Sequence, residues 1–374
     1  MRRISPYIHG QPDWPAFRWD REKLANLLAR VRHRQGRLIG RMEALGFPLQ
    51  QEAVLQTLTE DVVMTSDIEG DKLDPVQVRS SIARRLGLEA GGLEAADRHV
   101  DGVVDMLLDA TRHYAQELSA ERLLGWHASL FPGGRSGMRK ILVGAWRDDR
   151  TGPMQVVSGS IGRERVHYEA PAATHLEREM RVFLDWFNQG GADDLDPVLR
   201  AGVAHLWFVT IHPFPDGNGR IARAIADLAL ARSEQTSQRF YSMSAQTRKE
   251  RKAYYDILER TQRGTMDITL WMEWFLACLG RAIDGAETAL AAVLSKAHFW
   301  QAHRAVPVNE RQRVMLNRLL DGVEGKVTTS KWAAVARCSA DTALRDIVEL
   351  INRGLLVRNT GGGRSTSYSL AKVP

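Results

Sequence analysis

The sequence predicts a mainly α-helical protein, and three observations support that fold class. Segments with apolar residues at helical spacing make up most of the 374 residues. The alternation typical of strands is confined to two places, around residues 154–168 and 355–370. Hydrophobic content of 44% and charged content of 26% are ordinary for a soluble protein, and this length can hold two or three domains with good cores.

The N-terminal part, residues 1–90, is predicted to form a helical domain. An opening rich in aromatic residues, from Tyr7 to Trp19, precedes a long helical pattern from Arg21 to Leu45. Residues 52–64 then place their apolar side chains on one side of a helix. A glycine-containing loop at residues 90–94 is expected to lead into the central domain.

The most informative segment is His-Pro-Phe-Pro-Asp-Gly-Asn-Gly-Arg-Ile-Ala-Arg at residues 212–223. It lies between two segments that predict buried helices, residues 201–210 and 221–232, and its prolines keep the junction out of helix. Gly217 and Gly219 allow backbone geometries in which successive N–H groups converge. Together with the positive end of the following helix they predict an anion site, and the natural anion is a di- or triphosphate.

The charged side chains of this segment complete the parts that phosphoryl or nucleotidyl transfer needs. Arg220 and Arg223 are three residues apart, so both can reach the same phosphate chain. Asp216 is suited to hold Mg²⁺ against phosphate oxygens. His212 is the one side chain here that can take a proton near neutral pH.

The segment resembles the signature of the Fic (filamentation induced by cAMP) family, H-x-F-x-[D/E]-G-N-G-R-x-x-R. All eight specified positions match, namely His212, Phe214, Asp216, Gly217, Asn218, Gly219, Arg220 and Arg223. The Doc-like branch, which moves a terminal phosphate, departs from the G-N-G-R core. The resemblance therefore implies an all-helical core and a nucleotidyltransferase that moves AMP from ATP to a hydroxyl of a target protein or of itself.

The resemblance also implies a role for each matching residue. His212 would deprotonate a Ser, Thr or Tyr hydroxyl, and Asp216 would hold Mg²⁺ at the α- and β-phosphates. The Gly217–Gly219 backbone and Asn218 would form the anion hole. Arg220 and Arg223 would contact the β- and γ-phosphates, and Phe214 would point into the core.

A later segment resembles the one that lines the adenine and ribose pocket in this family. It runs from Tyr254 to Gln262, and these two residues, eight apart, lie roughly on one helix face. Both are candidate nucleotide contacts, although an aromatic residue in a helix is more often part of the core. His205, on an apolar helix, is expected to be a core histidine.

Upstream, Thr65-Ser-Asp-Ile-Glu-Gly70 fits the inhibitory pattern of the family, [S/T]-x-x-x-E-[G/N]. In relatives with this arrangement the glutamate, here Glu69, pairs with the second signature arginine, here Arg223. A carboxylate in the place of the γ-phosphate would make ATP bind weakly or unproductively. The alternative is a solvated glutamate at a helix end, which is common before glycine.

The insert at residues 154–168 predicts a β-hairpin, which the resemblance identifies as the flap over the active site. A flap aligns the target segment by strand addition. Its candidate residues are Val157, Ser158, Gly159, Ser160 and Ile161. The alternative is an ordinary surface hairpin.

The C-terminal part carries the excess of positive charge. From Arg311 onward there are 11 Lys and Arg against 5 Asp and Glu, which accounts for the whole net charge of +6. Three short helices, at residues 313–320, 330–336 and 342–353, and a hairpin turning at Gly361–Gly363 resemble a winged helix-turn-helix, with Arg358 and Arg364 on the wing. The basic charge favours DNA as a partner. Asp341, Asp346 and Glu349 on the presumed recognition helix favour protein contacts instead.

We therefore expect three domains: residues 1–90, carrying the inhibitory segment and resembling the N-terminal domain often joined to Fic domains; residues 95–285, the catalytic domain; and residues 300–374, the winged helix. Two cysteines without metal spacing, Cys278 and Cys338, fit a reducing cytoplasm. No signal peptide or membrane span is expected. Relatives with an N-terminal inhibitory segment suggest a homodimer.

Two alternatives to AMP transfer are left open by the sequence. The chain could be a DNA-binding regulator whose Fic core senses nucleotide, although a sensor has no need of His212. The same site could also remove AMP from a modified protein, with Glu69 positioning the attacking water.

Overall fold

The computed structural model describes residues 6–88, 95–150, 152–159, 163–189, 195–320, 326–359 and 366–371. As predicted, the protein is mainly α-helical, and it divides into two compact units, residues 1–286 and 287–374. The helices of the described residues are α1 Arg21–Glu43, α2 Phe47–Ile68, α3 Pro75–Leu86, α4 Arg98–Arg112, α5 Ala120–Leu130, α6 Leu176–Asn188, α7 Pro197–Ile211, α8 Asn218–Glu234, α9 Met243–Lys249, α10 Arg251–Gln262, α11 Thr269–Ala302, α12 Glu310–Leu320, α13 Thr329–Val335 and α14 Ala340–Asn352.

The β structure of the described residues consists of short antiparallel pairs. They are β1 Arg135–Ser136 with β2 Arg139–Lys140, β3 Gln155–Ser158 with β4 Arg165–Glu169, and β5 Leu356–Arg358 with β6 Tyr368–Leu370. The pair β3–β4 coincides with the hairpin predicted at residues 154–168 except that β4 extends one residue further, and its register shifts between Val156 and Val157. The pair β1–β2 was not predicted, because two residues per strand are too few to show alternation.

Helices α7 and α8 form the centre of the first unit. Every residue of α7 from Val198 onward is buried. Pro197 occupies its first turn, where a missing N–H costs nothing, and the Asp196 carboxylate caps it by accepting from the Val198 N–H at 2.7 Å. Helix α8 begins three residues earlier than the sequence pattern indicates, so Arg220 lies on its first turn.

Helix α2 lies beside α8, α3 and α9 and is longer than predicted. Its buried Asp61 accepts hydrogen bonds from the Ser242 hydroxyl and, at 3.2 Å, from the Ser244 N–H at the start of α9. The helix ends at Glu69, and Gly70 follows with φ +87°, a conformation that favours glycine. This ending fixes the position of the Glu69 side chain.

The segment before α1 packs on α6 and on the residues just before α11. The Arg18 N–H donates to the Met266 carbonyl, and the Ile268 N–H donates to the Arg18 carbonyl, both at 2.8 Å. The Trp14 indole donates to the Glu179 carboxylate at 2.9 Å. The expected boundary between residues 90 and 95 stays a prediction, and its loop at 90–94 falls outside the described residues.

The second unit has its own core, which includes Phe299, Leu316, Trp332 and Ile347. Helices α12, α13 and α14 agree with the three predicted helices to within about three residues at each end. The predicted turn at Gly361–Gly363 and Arg364 lie outside the described residues, and the winged-helix assignment stays a prediction. None of the described helices is long and apolar enough to span a membrane.

The close packing of α4 on α5 gives a stability test. A Cβ atom at Gly102 would lie 1.8 Å from the Ser129 carbonyl oxygen, whereas a Cβ at Gly36 of α1 meets nothing within 4 Å. We expect Gly102→Ala to lower the free energy of unfolding by about 1–3 kcal/mol through overpacking. Gly36→Ala, the matched control, should raise it by about 1 kcal/mol because alanine is the better helix former. Urea unfolding followed by circular dichroism measures both, and equal effects would contradict this packing.

Candidate active site

The loop between α7 and α8 is held by the side chain of Asn218. Its Oδ1 accepts from the Phe214 N–H at 2.9 Å, and its Nδ2 donates to the Phe214 carbonyl at 2.8 Å. Phe214 is fully buried, as expected, and stacks on the His127 ring at 4.2 Å. This side-chain amide holds the loop, while the backbone N–H of Asn218, at the start of α8, can still face an anion. The expectation that Asn218 belongs to an anion hole therefore stays a prediction.

His212 ends α7 in a left-handed conformation, with φ +53° and ψ +57°. Its Nδ1 lies 3.2 Å from the Val209 carbonyl oxygen, which can only accept, so Nδ1 carries the proton. Nε2 is then left with its lone pair. Burial lowers the pKa of His212 to about 4, and the nearby Arg147 charge acts in the same direction. The imidazole is therefore neutral near pH 7 and able to accept a proton.

Arg147, which the sequence pattern did not single out, fixes the start of this loop. Its Nε donates to the His212 carbonyl at 2.8 Å, and its backbone N–H donates to the Pro213 carbonyl at 2.9 Å. Asp149 pairs with the same guanidinium at 3.0 Å. Since Arg147 lies 65 residues before His212 and within no recognisable motif, local sequence carried no signal for it.

Asp216 and Gly217 make the turn into α8. One oxygen of the half-buried Asp216 carboxylate accepts from the Gly217 N–H at 2.6 Å, and the other binds the Ser136 hydroxyl. Gly217 has φ +82°, and a Cβ there would lie only 3.0 Å from the Phe131 ring. Only glycine fits both constraints. A half-buried single carboxylate suits Mg²⁺, which usually takes one or two carboxylates and completes its shell with phosphate oxygens and water.

Arg220 is buried on the first turn of α8, with its guanidinium 5.1 Å from the centre of the Phe131 ring. Its Nη1 is 3.5 Å from the Asp71 carboxylate. Within the part of the chain that the structure describes, its Nε and Nη1 have no hydrogen-bond partner. Buried charged donors without acceptors are costly, so this side chain is suited to receive an anion.

Arg223, one turn further along α8, is engaged by the end of α2. It donates to the Thr65 hydroxyl at 2.7 Å, the Thr65 carbonyl at 2.9 Å and the Glu69 carboxylate at 2.8 Å. Burial opposes its charge, but the Glu69 carboxylate, together with Tyr254 and Tyr255, outweighs this effect and raises the pKa of Arg223. A Cβ at Gly219 would lie 2.3 Å from Glu69 Oε1, so a larger residue there would displace this carboxylate from α8.

A pocket of about 760 Å³ brings seven of the fifteen predicted site residues together. Its wall includes Glu69, His212, Gly219, Tyr254, Gln262, Val157 and Ser158. The Tyr254 hydroxyl is 2.9 Å from His205 Nε2, and the Gln262 amide donates to the Thr210 hydroxyl at 3.3 Å. The polar ends of the Tyr254 and Gln262 side chains therefore both face α7. Asp216, Asn218, Arg220 and Arg223 are not among the described residues of this wall.

The predicted flap forms one side of the pocket and is anchored on α10. Glu259 accepts from His167 Nδ1 at 2.6 Å and from Arg165 at 2.9 Å, and Arg263 donates to the Val166 and His167 carbonyls. Gly159 has φ +107°, and a Cβ atom there would clash with the Arg163 carbonyl oxygen. Strand β4 is therefore held by hydrogen bonds to Glu259 of α10 and to Arg263 after it. Strand β3 pairs only with β4 among the described residues, so its other edge has no strand partner there. Ser160 and Ile161 lie outside the described residues.

Comparison with known families matches residues 117–230 to the Fic/DOC family. Residues 7–88 match a family described as "Domain of unknown function (DUF4172)". Two curated relatives are called "Protein adenylyltransferase Fic". The one from Drosophila willistoni is 25% identical over 63% of this chain and 42% of its own length. The one from Nematostella vectensis is 34% identical over 30% of this chain and 25% of its own length. This chain thus spans less than half of either relative.

Two solved structures resemble this fold. A Fic family protein from Desulfovibrio desulfuricans G20 matches with a TM-score of 0.53 and 20% identity, over 94% of this chain and 96% of that one. A Fic domain-containing signaling protein from Bacteroides thetaiotaomicron VPI-5482 matches with a TM-score of 0.51 and 18% identity, over 69% of this chain and 95% of that one. At these identities the likeness concerns the fold alone.

The environment of His212 gives a prediction about its titration. Because burial lowers the pKa to about 4, we expect the His212 ring to stay neutral from pH 8 down to about pH 5. Histidine ring resonances followed by NMR against pH measure this, with the urea-unfolded protein as the reference near 6.5. Titration of His212 near 6.5 in the folded protein would show that its ring is solvated.

Proposed function

This chain belongs to the Fic family, and we propose that it is a protein adenylyltransferase. It would transfer AMP from ATP to a Ser, Thr or Tyr hydroxyl of a target protein or of itself. The observation that carries the proposal is the meeting of two features at one pocket. One is the neutral imidazole of His212, and the other is Gly219 at the N-terminus of α8. A base and an anion-binding helix end are the two requirements of in-line nucleotidyl transfer.

In this reaction His212 acts as the general base. Its Nε2 takes the proton of the attacking hydroxyl, whose oxygen forms a bond to the α-phosphorus while the bond to pyrophosphate breaks. Arg147 and Asn218 keep the loop in place through their bonds to His212 and Phe214. No covalent enzyme intermediate is needed, so positioning and charge stabilisation supply the catalysis.

The phosphates would be held at the start of α8. A triphosphate would find donors in the backbone N–H groups of Asn218 and Gly219 and in the guanidinium groups of Arg220 and Arg223. Among the described residues, Nε and Nη1 of Arg220 have no hydrogen-bond partner. Gly217, whose N–H is bonded to Asp216, would provide the turn that places these groups. Asp216 would hold Mg²⁺, which when bound offsets the charge of the phosphates. Tyr254 and Gln262, on the pocket wall, would contact the nucleoside.

The unpaired edge of β3 would receive the target as an added strand. Val157 is 48% exposed there, and the flap itself is held by α10 on the β4 side. Main-chain hydrogen bonds along β3 suit an extended segment of a target protein. Of the five predicted flap residues, Val157, Ser158 and Gly159 are described.

We further propose that Glu69 inhibits the enzyme. Its carboxylate already neutralises Arg223 and lies against Gly219, where it competes with the phosphate chain for the same donors. ATP would then bind weakly or in an unproductive pose. Because Glu69 also lines the pocket with His212, removal of AMP by a water held at Glu69 is the second candidate function.

The second unit is proposed to be a winged helix that binds DNA, with protein contacts as the alternative. Asp346, which weighs against phosphate binding in the sequence, is buried and paired with Arg311 at 2.6 Å. Glu349 is paired with Gln312 and Arg353. Because Asp346 and Glu349 are paired within the unit, their negative charges weigh less against DNA binding at the outer face of α14. A homodimer and a cytoplasmic location remain proposals from the resemblance and from the cysteine content.

Labelling of other proteins tests the enzyme and its inhibition. We expect Glu69→Gly, added to a cell lysate with α-labelled ATP and Mg²⁺, to label lysate proteins roughly 5- to 150-fold faster than wild type, the range of ordinary coupling energies. Glu69→Gly/His212→Ala should label none while still binding ATP, because only the base is lost. Glu43→Gly, at the exposed end of α1, is the matched control and should behave as wild type. Activity unchanged by Glu69→Gly would refute the inhibitory contact.

The pairing of Glu69 with Arg223 predicts a non-additive double mutant. Arg223→Ala should weaken productive triphosphate binding and remove the group on which Glu69 acts. Glu69→Gly/Arg223→Ala should therefore be no more active than Arg223→Ala alone. The measurement is the initial rate of lysate labelling for all four forms of the protein. A double mutant several-fold faster than Arg223→Ala would place the inhibition elsewhere.

A further inference from the structure

The hydroxyl groups on the pocket wall differ in their readiness to react. Tyr168 is fully buried, donates to the Thr210 carbonyl at 2.7 Å, and burial raises its pKa well above the usual range. The Tyr254 hydroxyl is buried against His205, and burial also raises its pKa. Burial raises the pKa of Tyr255 as well. Ser158, on β3, is the exposed aliphatic hydroxyl among the described residues of the wall.

Ser158 also has a base beside it. Its Oγ is 2.6 Å from His167 Nε2 across the β3–β4 pair. His167 Nδ1 is 2.6 Å from the Glu259 carboxylate, which can only accept, so Nδ1 carries the proton and Nε2 has the lone pair. The Ser158 hydroxyl therefore donates to Nε2. Hydroxyl, imidazole and carboxylate are connected in the order that activates serine nucleophiles in enzymes.

Glu259 is held in the ionised form that this arrangement needs. Burial opposes ionisation, but the hydrogen bonds from His167 and Arg165 outweigh it and lower the pKa of the carboxyl group. The Arg165 contact, at 2.9 Å, also fixes the carboxylate on the flap side of α10. A proton taken up by His167 would thus be balanced by a carboxylate already in place.

We propose that Ser158 is the acceptor for self-adenylylation and that, for this one hydroxyl, His167 takes the proton that His212 takes from the hydroxyl of a target protein. The inference rests on the proposed function, which brings ATP to the pocket that Ser158 and His212 share. Ser158 Oγ forms a bond to the α-phosphorus of ATP, and the bond from that phosphorus to the β-phosphate oxygen breaks. Pyrophosphate leaves, and the proton moves from Oγ to His167 Nε2, opposite Glu259. The product is an AMP phosphodiester on the β3 strand.

The experiment uses the 374-residue chain with Glu69→Gly, incubated with ATP and Mg²⁺, and the modified residue is located by peptide mass spectrometry. We expect AMP on Ser158, its loss in Ser158→Ala, and its return in Ser158→Thr, which keeps a hydroxyl and suits a strand. His167→Ala should slow Ser158 modification roughly 100-fold or more, as expected for loss of a general base. Ser237→Ala removes an equally exposed serine outside the pocket wall and should change nothing.

Two outcomes would overturn the proposal. One is AMP on other residues with Ser158 unmodified, and the other is Ser158 modification that His167→Ala leaves at full rate. Labelling of lysate proteins separates this result from the proposed function. If lysate proteins are labelled and Ser158 is not, the self-acceptor is wrong and the transferase stands. If neither is labelled, the transferase itself is wrong.

Discussion

A buried guanidinium is stable only with an anion beside it, and the site is organised around that requirement at Arg223. Its side chain is 4% exposed and is neutralised by Glu69 at 2.8 Å, with Thr65 supplying two further acceptors. All of these partners come from the end of α2. Glu69 thus supplies the negative charge that a triphosphate would bring. It does so near the N-terminal end of α8, where backbone N–H groups also attract anions.

The influence of the Arg223–Glu69 contact on the rest of the site depends on how rigid the α7–α8 junction is. Both helices are buried along most of their length, and the turn between them is fixed by Asn218, Arg147 and the close approach of Gly217 to Phe131. His212 and Gly219 are therefore held in set positions on one wall. A base and an anion site held in fixed positions are preorganised, so they need not rearrange when a substrate binds. Electrostatic catalysis requires this preorganisation.

How much could be predicted depended on whether a feature is local in the sequence. The mainly helical fold could be predicted from the helical spacing of apolar residues, and the contiguous motif at residues 212–223 located the α7–α8 loop, whose chemistry stays a prediction. The bonds by which the Asn218 side chain holds this loop could not be predicted, because an amide looks the same in a sequence whether it binds a phosphate or its own loop. Arg147 and the His167–Glu259 pair were missed, since their partners are 65 and 92 residues away and only the fold brings them together.

If Glu69 inhibits the enzyme as proposed, inhibition and stability are linked through the bond between Glu69 and Arg223. A hydrogen bond to a charged group contributes about 1.5–3 kcal/mol, so losing Glu69 would destabilise the folded protein until a phosphate pairs with Arg223. In this proposal, release of inhibition is an exchange of one anion for another. Arg223 would be paired both in the inhibited form and with ATP bound, and the Ser158 hydroxyl on the flap would meet the nucleotide only in the second. Self-modification would thus report the displacement of Glu69, because each requires that a phosphate of ATP replaces the Glu69 carboxylate as the partner of Arg223.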